Sequence, residues 1–212
     1  MKVSIKKGNK KVKYDMPISW NELTLDRYMD LMKVLTDETE MHQVEKTLRI
    51  ISALTKIPKR DLYALELSSI QKLGKHITDF LSTEPNTLLK HFIKIDGTEY
   101  GFHPKLVDMT MGEFVDLETY MKDINNNLHH ILSVLYRPIK LKEGEKYLIE
   151  DYEPSDERAE LFKNNLKVND FNGASVFFYN LEKELSISSL KSSIKNMKKI
   201  MKETQRMEKM TT

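Results

Sequence analysis

Apolar residues recur every three or four positions over most of this 212-residue chain, in stretches cut short by proline, glycine or polar turns. That spacing matches the 3.6 residues of a helical turn, so it dictates amphipathic helices that bury one stripe each. Thr24 is a suitable N-cap, and Leu25, Tyr28, Leu31, Met32 and Leu35 follow it on one face. A second run, from about Glu38 to Leu54, aligns Met41, Val44, Leu48, Ile51 and Leu54 and breaks at Ile57-Pro58. Pro58 suits the first turn of a short helix through Leu65. Ser68 or Ser69 is expected to cap a helix carrying Ile70, Leu73, Ile77, Phe80 and Leu81. After Thr110, Met111, Phe114, Leu117 and Tyr120 share a face, with Glu113, Asp116 and Glu118 mostly off it. Leu128, Ile131, Leu132 and Leu135 form the next stripe, stopped at Arg137-Pro138. Pro154-Ser155 starts a helix with Ala159, Leu161 and Phe162, and Asp170 to Ala174 leads into an apolar helix over Val176 to Leu185.

Two places follow a period of two instead. Val3, Ile5, Val12 and Tyr14 alternate around Gly8-Asn9, and His91–Ile95 and Thr98–Phe102 flank Asp96-Gly97. Both read as β-hairpins, because these turn dipeptides tolerate positive φ. An isolated hairpin is marginal in water, so the two are expected to pair in one small sheet. Tyr147-Leu148-Ile149 reads as a further short strand after a polar loop at Glu143-Gly144-Glu145. The expected fold class is mainly α: a helical body with two short β-hairpins and a projecting basic C-terminal helix. The expected divisions are a basic hairpin arm at residues 1–16, a body at 17–186 and the basic helix at 187–212.

That last segment differs in kind. Ile187, Leu190, Ile194, Met197 and Met201 fall at spacings of three and four, a seam of about two heptads. Lys191, Lys195, Lys198, Lys199 and Lys202 surround it. The net charge of +2 therefore hides a polarity. Residues 1–13 carry six lysines and no acid, and residues 187–212 carry +5, which leaves −9 for residues 14–186. Basic ends flanking an acidic body either keep the chain solvated or touch an acidic partner, a neighbouring subunit or nucleic acid. Lys6, Lys7, Lys10 and Lys11 at one end, with Lys195, Lys198, Lys199 and Lys202 at the other, are the candidate electrostatic contacts. The tail has no interleaved aromatics and one arginine, Arg206, which disfavours base reading but leaves salt-sensitive backbone attraction open.

With no cysteine there is no disulfide, thiolate zinc site or thiol nucleophile. No cofactor is expected. The first thirteen residues lack the apolar core of a secretory signal, and no apolar run approaches the roughly 20 residues of a membrane span, so a soluble chain without a membrane partner is expected. The chain has no G-x-S-x-G, Walker, G-x-G-x-x-G or H-E-x-x-H motif. His129-His130 point about 100° apart on a helix and would not share a metal; one half-buried and one solvated ring is the ordinary outcome. Glu113 and Asp116 are three apart on one face, but an acid near a helix start already favours its positive end without chemistry. Trp20 reads as an interface anchor or as a lid where the first hairpin meets the first helix. Tyr136 and Arg137 read either as a contact surface or as a helix C-terminus, with Arg137 bonding the last carbonyls.

Three stretches carry a resemblance: Pro17-Ile18-Ser19-Trp20-Asn21-Glu22-Leu23-Thr24, Met109-Thr110-Met111-Gly112-Glu113-Phe114-Val115-Asp116-Leu117-Glu118, and Leu132-Ser133-Val134-Leu135-Tyr136-Arg137-Pro138. Asn172-Gly173-Ala174-Ser175-Val176-Phe177-Phe178 is a weaker fourth. Over residues 17–185 the chain resembles small helical proteins of tailed-bacteriophage tails, of the tail-hub and tail-assembly sort. The resemblance implies a non-enzymatic virion structural protein, a hub, ring or adaptor component, with other phage structural proteins as partners. The alternatives it leaves are a transient tail assembly chaperone confined to the host cytoplasm, or a nucleic-acid-binding accessory protein. The expected interface residues are Trp20, Tyr136, Arg137, Leu190, Ile194, Met197 and Met201, in a homo-oligomer.

Overall fold

The structure is a computed structural model that describes residues 2–7 and 10–176; of Lys6, Lys7, Lys10 and Lys11 it describes the backbone alone. The expected basic helix, with Leu190, Ile194, Met197, Met201, Lys195, Lys198, Lys199 and Lys202, lies outside the described residues. One compact unit comprises Met1–Gly173, and a second begins at Ala174. The fold mixes helices with two small antiparallel sheets.

The first hairpin, β1 (Lys2–Lys7) and β2 (Lys10–Asp15), forms as its alternation dictates, with Val3 opposite Tyr14 and Ile5 opposite Val12. Ile5 and the following Met16 are buried, and Arg27 donates to the Asp15 carbonyl at 2.9 Å, so the base of this ribbon is part of the body. Helix α1 (Leu25–Leu35) starts at Thr24, yet no side chain caps it. Backbone pairing does that work: the Leu25 N–H donates to the Leu166 carbonyl at 2.8 Å, and the Val168 N–H to Leu23 at 3.0 Å. Helix α2 (Gln43–Thr55) is shorter than its apolar stripe and ends at Lys56, which takes the left-handed conformation. After α3 (Lys59–Leu62), α4 (Leu67–Leu81) starts before Ser68 and Ser69, with Glu66 in the cap position and neither serine capping it.

Asp96-Gly97 joins β3 (Phe92–Ile95) to β4 (Thr98–Phe102) with positive φ at both turn residues, as a type I′ turn requires. This hairpin does not join the first one. Its β4 edge pairs with β5 (Tyr136–Glu143), which turns through Gly144-Glu145 into β6 (Lys146–Ile149), giving a separate sheet ordered β3-β4-β5-β6. The reason lies in α6 (Ile124–Leu135), which stops at the expected place but passes directly into β5 with no loop. Pro138 sits inside that strand, beside a register shift between Ile139 and Leu141, where a missing N–H is tolerated.

Helix α6 is the core of the body. Leu128, His129, Ile131 to Leu135 are all buried, and α5 (Met111–Met121), α1 and α7 (Asp156–Asn165) pack around it. Ser155 caps α7 by accepting from the Arg158 N–H. Residues 168–176 are helical, and there Phe171 meets Tyr28 edge to face at 5.5 Å.

Two helical glycines separate propensity from packing. A Cβ on Gly173 would lie 2.1 Å from the Leu88 carbonyl oxygen, a backbone atom that cannot swing aside. A Cβ on Gly74 in α4 would meet only the Thr47 methyl, at an ordinary 3.7 Å. Gly74→Ala should therefore raise stability by about 0.5–1 kcal/mol, and Gly173→Ala should lower it by about 1–3 kcal/mol despite the same gain in helix propensity. Urea titration of the two variants checks the opposite signs.

Candidate functional site

The strongest convergence of charge lies where α6 becomes β5. Register places Tyr136 opposite Phe102 and Arg137 opposite Gly101, so the two side chains leave opposite faces of the sheet. Tyr136 is fully buried; its hydroxyl donates to the Lys90 carbonyl at 2.6 Å and its ring meets Phe102 edge to face. Arg137 is 4% exposed. Neither forms the contact surface expected of it, because each is committed to an internal partner. Nor does Arg137 cap the helix carbonyls; Arg158 of α7 donates to the Ser133 carbonyl instead, at 3.0 Å.

The partner of Arg137 is Glu113, itself 1% exposed, with Arg137 Nη2 2.6 Å from Glu113 Oε1. Glu113 is the third residue of α5. Its other oxygen, Oε2, accepts the Thr110 N–H at 2.5 Å, while the Glu113 N–H donates to the Thr110 hydroxyl. One carboxylate thus closes a capping box and neutralises a buried guanidinium. His103 completes the cluster, with Nε2 3.5 Å from Glu113 Oε1. Its Nδ1 accepts the Lys105 N–H, which leaves the ring proton on Nε2, towards the carboxylate. Burial, opposed by the Glu113 charge and helped by that of Arg137, holds the His103 pKa below its ordinary value. Tyr152 lies under the guanidinium, 5.8 Å from its carbon to the ring centroid, and donates its hydroxyl to Asp116. Burial, and then that bond, raise the Tyr152 phenol pKa.

The arrangement is sealed. Arg137, Glu113 and His103 are all buried. An open cleft of about 470 Å³ lies elsewhere, between α1, α2 and α3. Its cations are spent on neighbours: Lys56 on Asp26 and Asp30, Arg49 on Asp37 and Glu45, and Lys59 on Glu45. Among the described residues no group of three His, Cys, Asp or Glu is placed to hold a metal ion, and no helix is long and apolar enough to cross a membrane. Neither of the two adjacent histidines is solvated, contrary to the sequence expectation, and their rings lie 4.2 Å apart despite the offset of about 100° between their helix positions. His129 is buried, with Nε2 3.7 Å from Glu160, and His130 is half-buried against Tyr120. Trp20 is half-buried, its ring 4.6 Å from that of Phe80 in α4 and its N–H bonded to the Thr83 carbonyl.

The surface outside this cluster departs from the sequence expectation. With Glu113 and Leu117 buried, α5 turns Met111 (75% exposed), Phe114 (51%) and Val115 (48%) outwards. These positions fall at i, i+3 and i+4, so they form one continuous apolar face. Of the expected core face of α5, Leu117 is buried and Tyr120 half-buried as the spacing dictates, but Met111 and Phe114 are outside, and one of its acids is inside. No protein-family model, curated protein or solved structure matches the chain.

Removing one partner of a buried ion pair strands the other charge. Arg137→Ala should cost about 3–5 kcal/mol in urea titrations. The double variant Glu113→Leu/Arg137→Met should recover all but about 1 kcal/mol, the value of the lost cap. His129 gives a pH signature. Burial, then the charges of His130 and Lys163, push its pKa from 6.5 to about 4. Between those values the unfolded chain binds the proton first, so stability is present near pH 7 and falls as pH drops from about 6.5 to about 4, by at most about 3 kcal/mol. His129→Leu should flatten that slope when unfolding free energy is measured at pH 7 and pH 4.5; an unchanged slope would contradict the burial of a neutral ring.

Proposed function

We propose that this chain is a non-enzymatic bacteriophage structural or tail-assembly protein, a hub, ring or adaptor component that works through protein–protein contacts. The observation that carries the reading is the apolar face of α5. Met111, Phe114 and Val115 fall inside one of the stretches that resemble tail proteins, and they are held outwards. Leaving three large apolar side chains in water on one helix face is characteristic of contact sites. The sealed Arg137–Glu113–His103 cluster fits the same reading, since buried ion pairs serve structure when no substrate can reach them. In this proposal residues 17–186 are the mainly helical body and residues 187–212 a basic helix that projects from it. The setting is the virion, and the partners are further copies of the chain and other particle proteins.

A second reading, nucleic-acid attachment through the basic ends, has one observation in its favour. The first hairpin pairs Lys6 with Lys11 and Lys7 with Lys10, two successive like-charged pairs that an anionic partner would relieve.

Quantitative mass spectrometry of purified virions tests the proposal. A fixed copy number per particle is the expected result for a hub or adaptor. Presence in assembly intermediates but not in virions points to a chaperone, and absence from both contradicts the assignment.

A further inference from the structure

The acidic surplus of this protein is concentrated in one place. Residues 108–121 and 150–157 together hold nine acids and no lysine or arginine, a deficit equal to that of the whole stretch 14–186. The fold brings these two segments together through Tyr152, whose hydroxyl bonds Asp116 and whose ring would meet a Cβ on Gly112 at 3.7 Å. Asp108, Glu118, Glu150, Asp151, Glu153, Asp156 and Glu157 are exposed there, and Asp116 is half-buried. Three of these eight lie within ion-pair distance of a cation or histidine, Asp108 of Lys105, Asp151 of Lys140 and Asp156 of His130, and Glu150 and Glu153 share the charge of Lys140 at longer range. On the same helix, beside these acids, lies the apolar face Met111, Phe114 and Val115. A partner for such a surface must bring an apolar stripe flanked by positive charge.

The chain carries one segment of that kind. Ile187, Leu190, Ile194, Met197 and Met201 keep the spacing of a helical seam, and Lys191, Lys195, Lys198, Lys199 and Lys202 flank it. We propose that the outward face of α5 is the seat of residues 187–202 from a second copy of the chain, an apolar seam laid on the apolar face with its lysines towards the neighbouring acids. The inference rests on the reading of the protein as an assembly component and specifies the contact it uses. The contact joins two different surfaces, so each copy offers one seat and one tail, and the geometry either closes into a ring or extends. It should weaken with salt, since the flanking pairs are solvent-exposed.

Two full-length variants test this. Phe114→Asp spoils the seat and leaves the tail intact; Ile194→Asp spoils the tail and leaves the seat intact. The wild-type chain should self-associate in analytical ultracentrifugation, with each variant alone weakened at least about tenfold, as expected for an interface hot spot. Mixed, the two variants should form a one-to-one heterodimer that grows no further, because one intact tail meets one intact seat. Met111→Asp, at a more exposed position, should behave as Phe114→Asp does and separates loss of contact from loss of folding. Variants that both stay monomeric when mixed overturn the head-to-tail contact, as does a wild-type chain that is monomeric throughout because its tail docks on its own body. Association unaffected by either substitution overturns the seat altogether. Virion mass spectrometry is independent of these outcomes, so failure of the contact and failure of the assigned role are distinguishable.

Discussion

A guanidinium buried where a helix runs straight into a strand cannot be left without a counter-charge, and most of what is distinctive here follows from that. The α6–β5 junction has no loop in which Arg137 could swing out to water. Its register opposite Gly101 fixes its direction, and Gly101 itself is covered by Tyr147, whose ring a Cβ there would strike at 2.6 Å. Glu113 supplies the counter-charge from the first turn of α5, and its second oxygen is already committed to the Thr110 N–H. Two bonds from one side chain thus set the rotation of α5 about its axis.

The rotation has a cost that magnitudes make intelligible. Turning α5 to bury Met111 and Phe114 would gain about 1.5–3 kcal/mol for each side chain fully buried. It would also strand a buried arginine, at about 3–5 kcal/mol, and forfeit a cap of about 1 kcal/mol. The two sides are of similar size. A partner laid on the outward face would recover the apolar term without breaking the ion pair.

The sequence made some elements legible and hid others for physical reasons. Asp96-Gly97, the stripe of α6 ending before Arg137-Pro138, and the Ser155 cap of α7 all depend on residues a few positions apart, and each appears where local rules place it. The pairing of β4 with β5 depends on contacts 34 or more residues apart, and β5 carries Lys140, Lys142 and Glu143, so no alternation of apolar residues announced it. Periodicity placed Leu117 correctly but misjudged Met111 and Phe114, because it assumes that the whole apolar stripe faces inwards; one charged partner 24 residues away turned that end of it out. The capping-box spacing of Thr110 and Glu113 was the available clue, but it signals a helix start and not a buried carboxylate. Tyr136 and Arg137 looked like surface anchors because tyrosine and arginine are common at interfaces, and nothing within reach of them in sequence showed that each already had a partner.

The inward turn of Glu113 and the outward turn of Met111 and Phe114 are one claim, and it can be observed directly. NMR of the monomeric chain with a soluble nitroxide should broaden the Met111 methyl and Phe114 ring signals strongly while the Glu113 and Leu117 side-chain signals stay sharp. Protected Met111 and Phe114 beside a broadened Glu113 would contradict it.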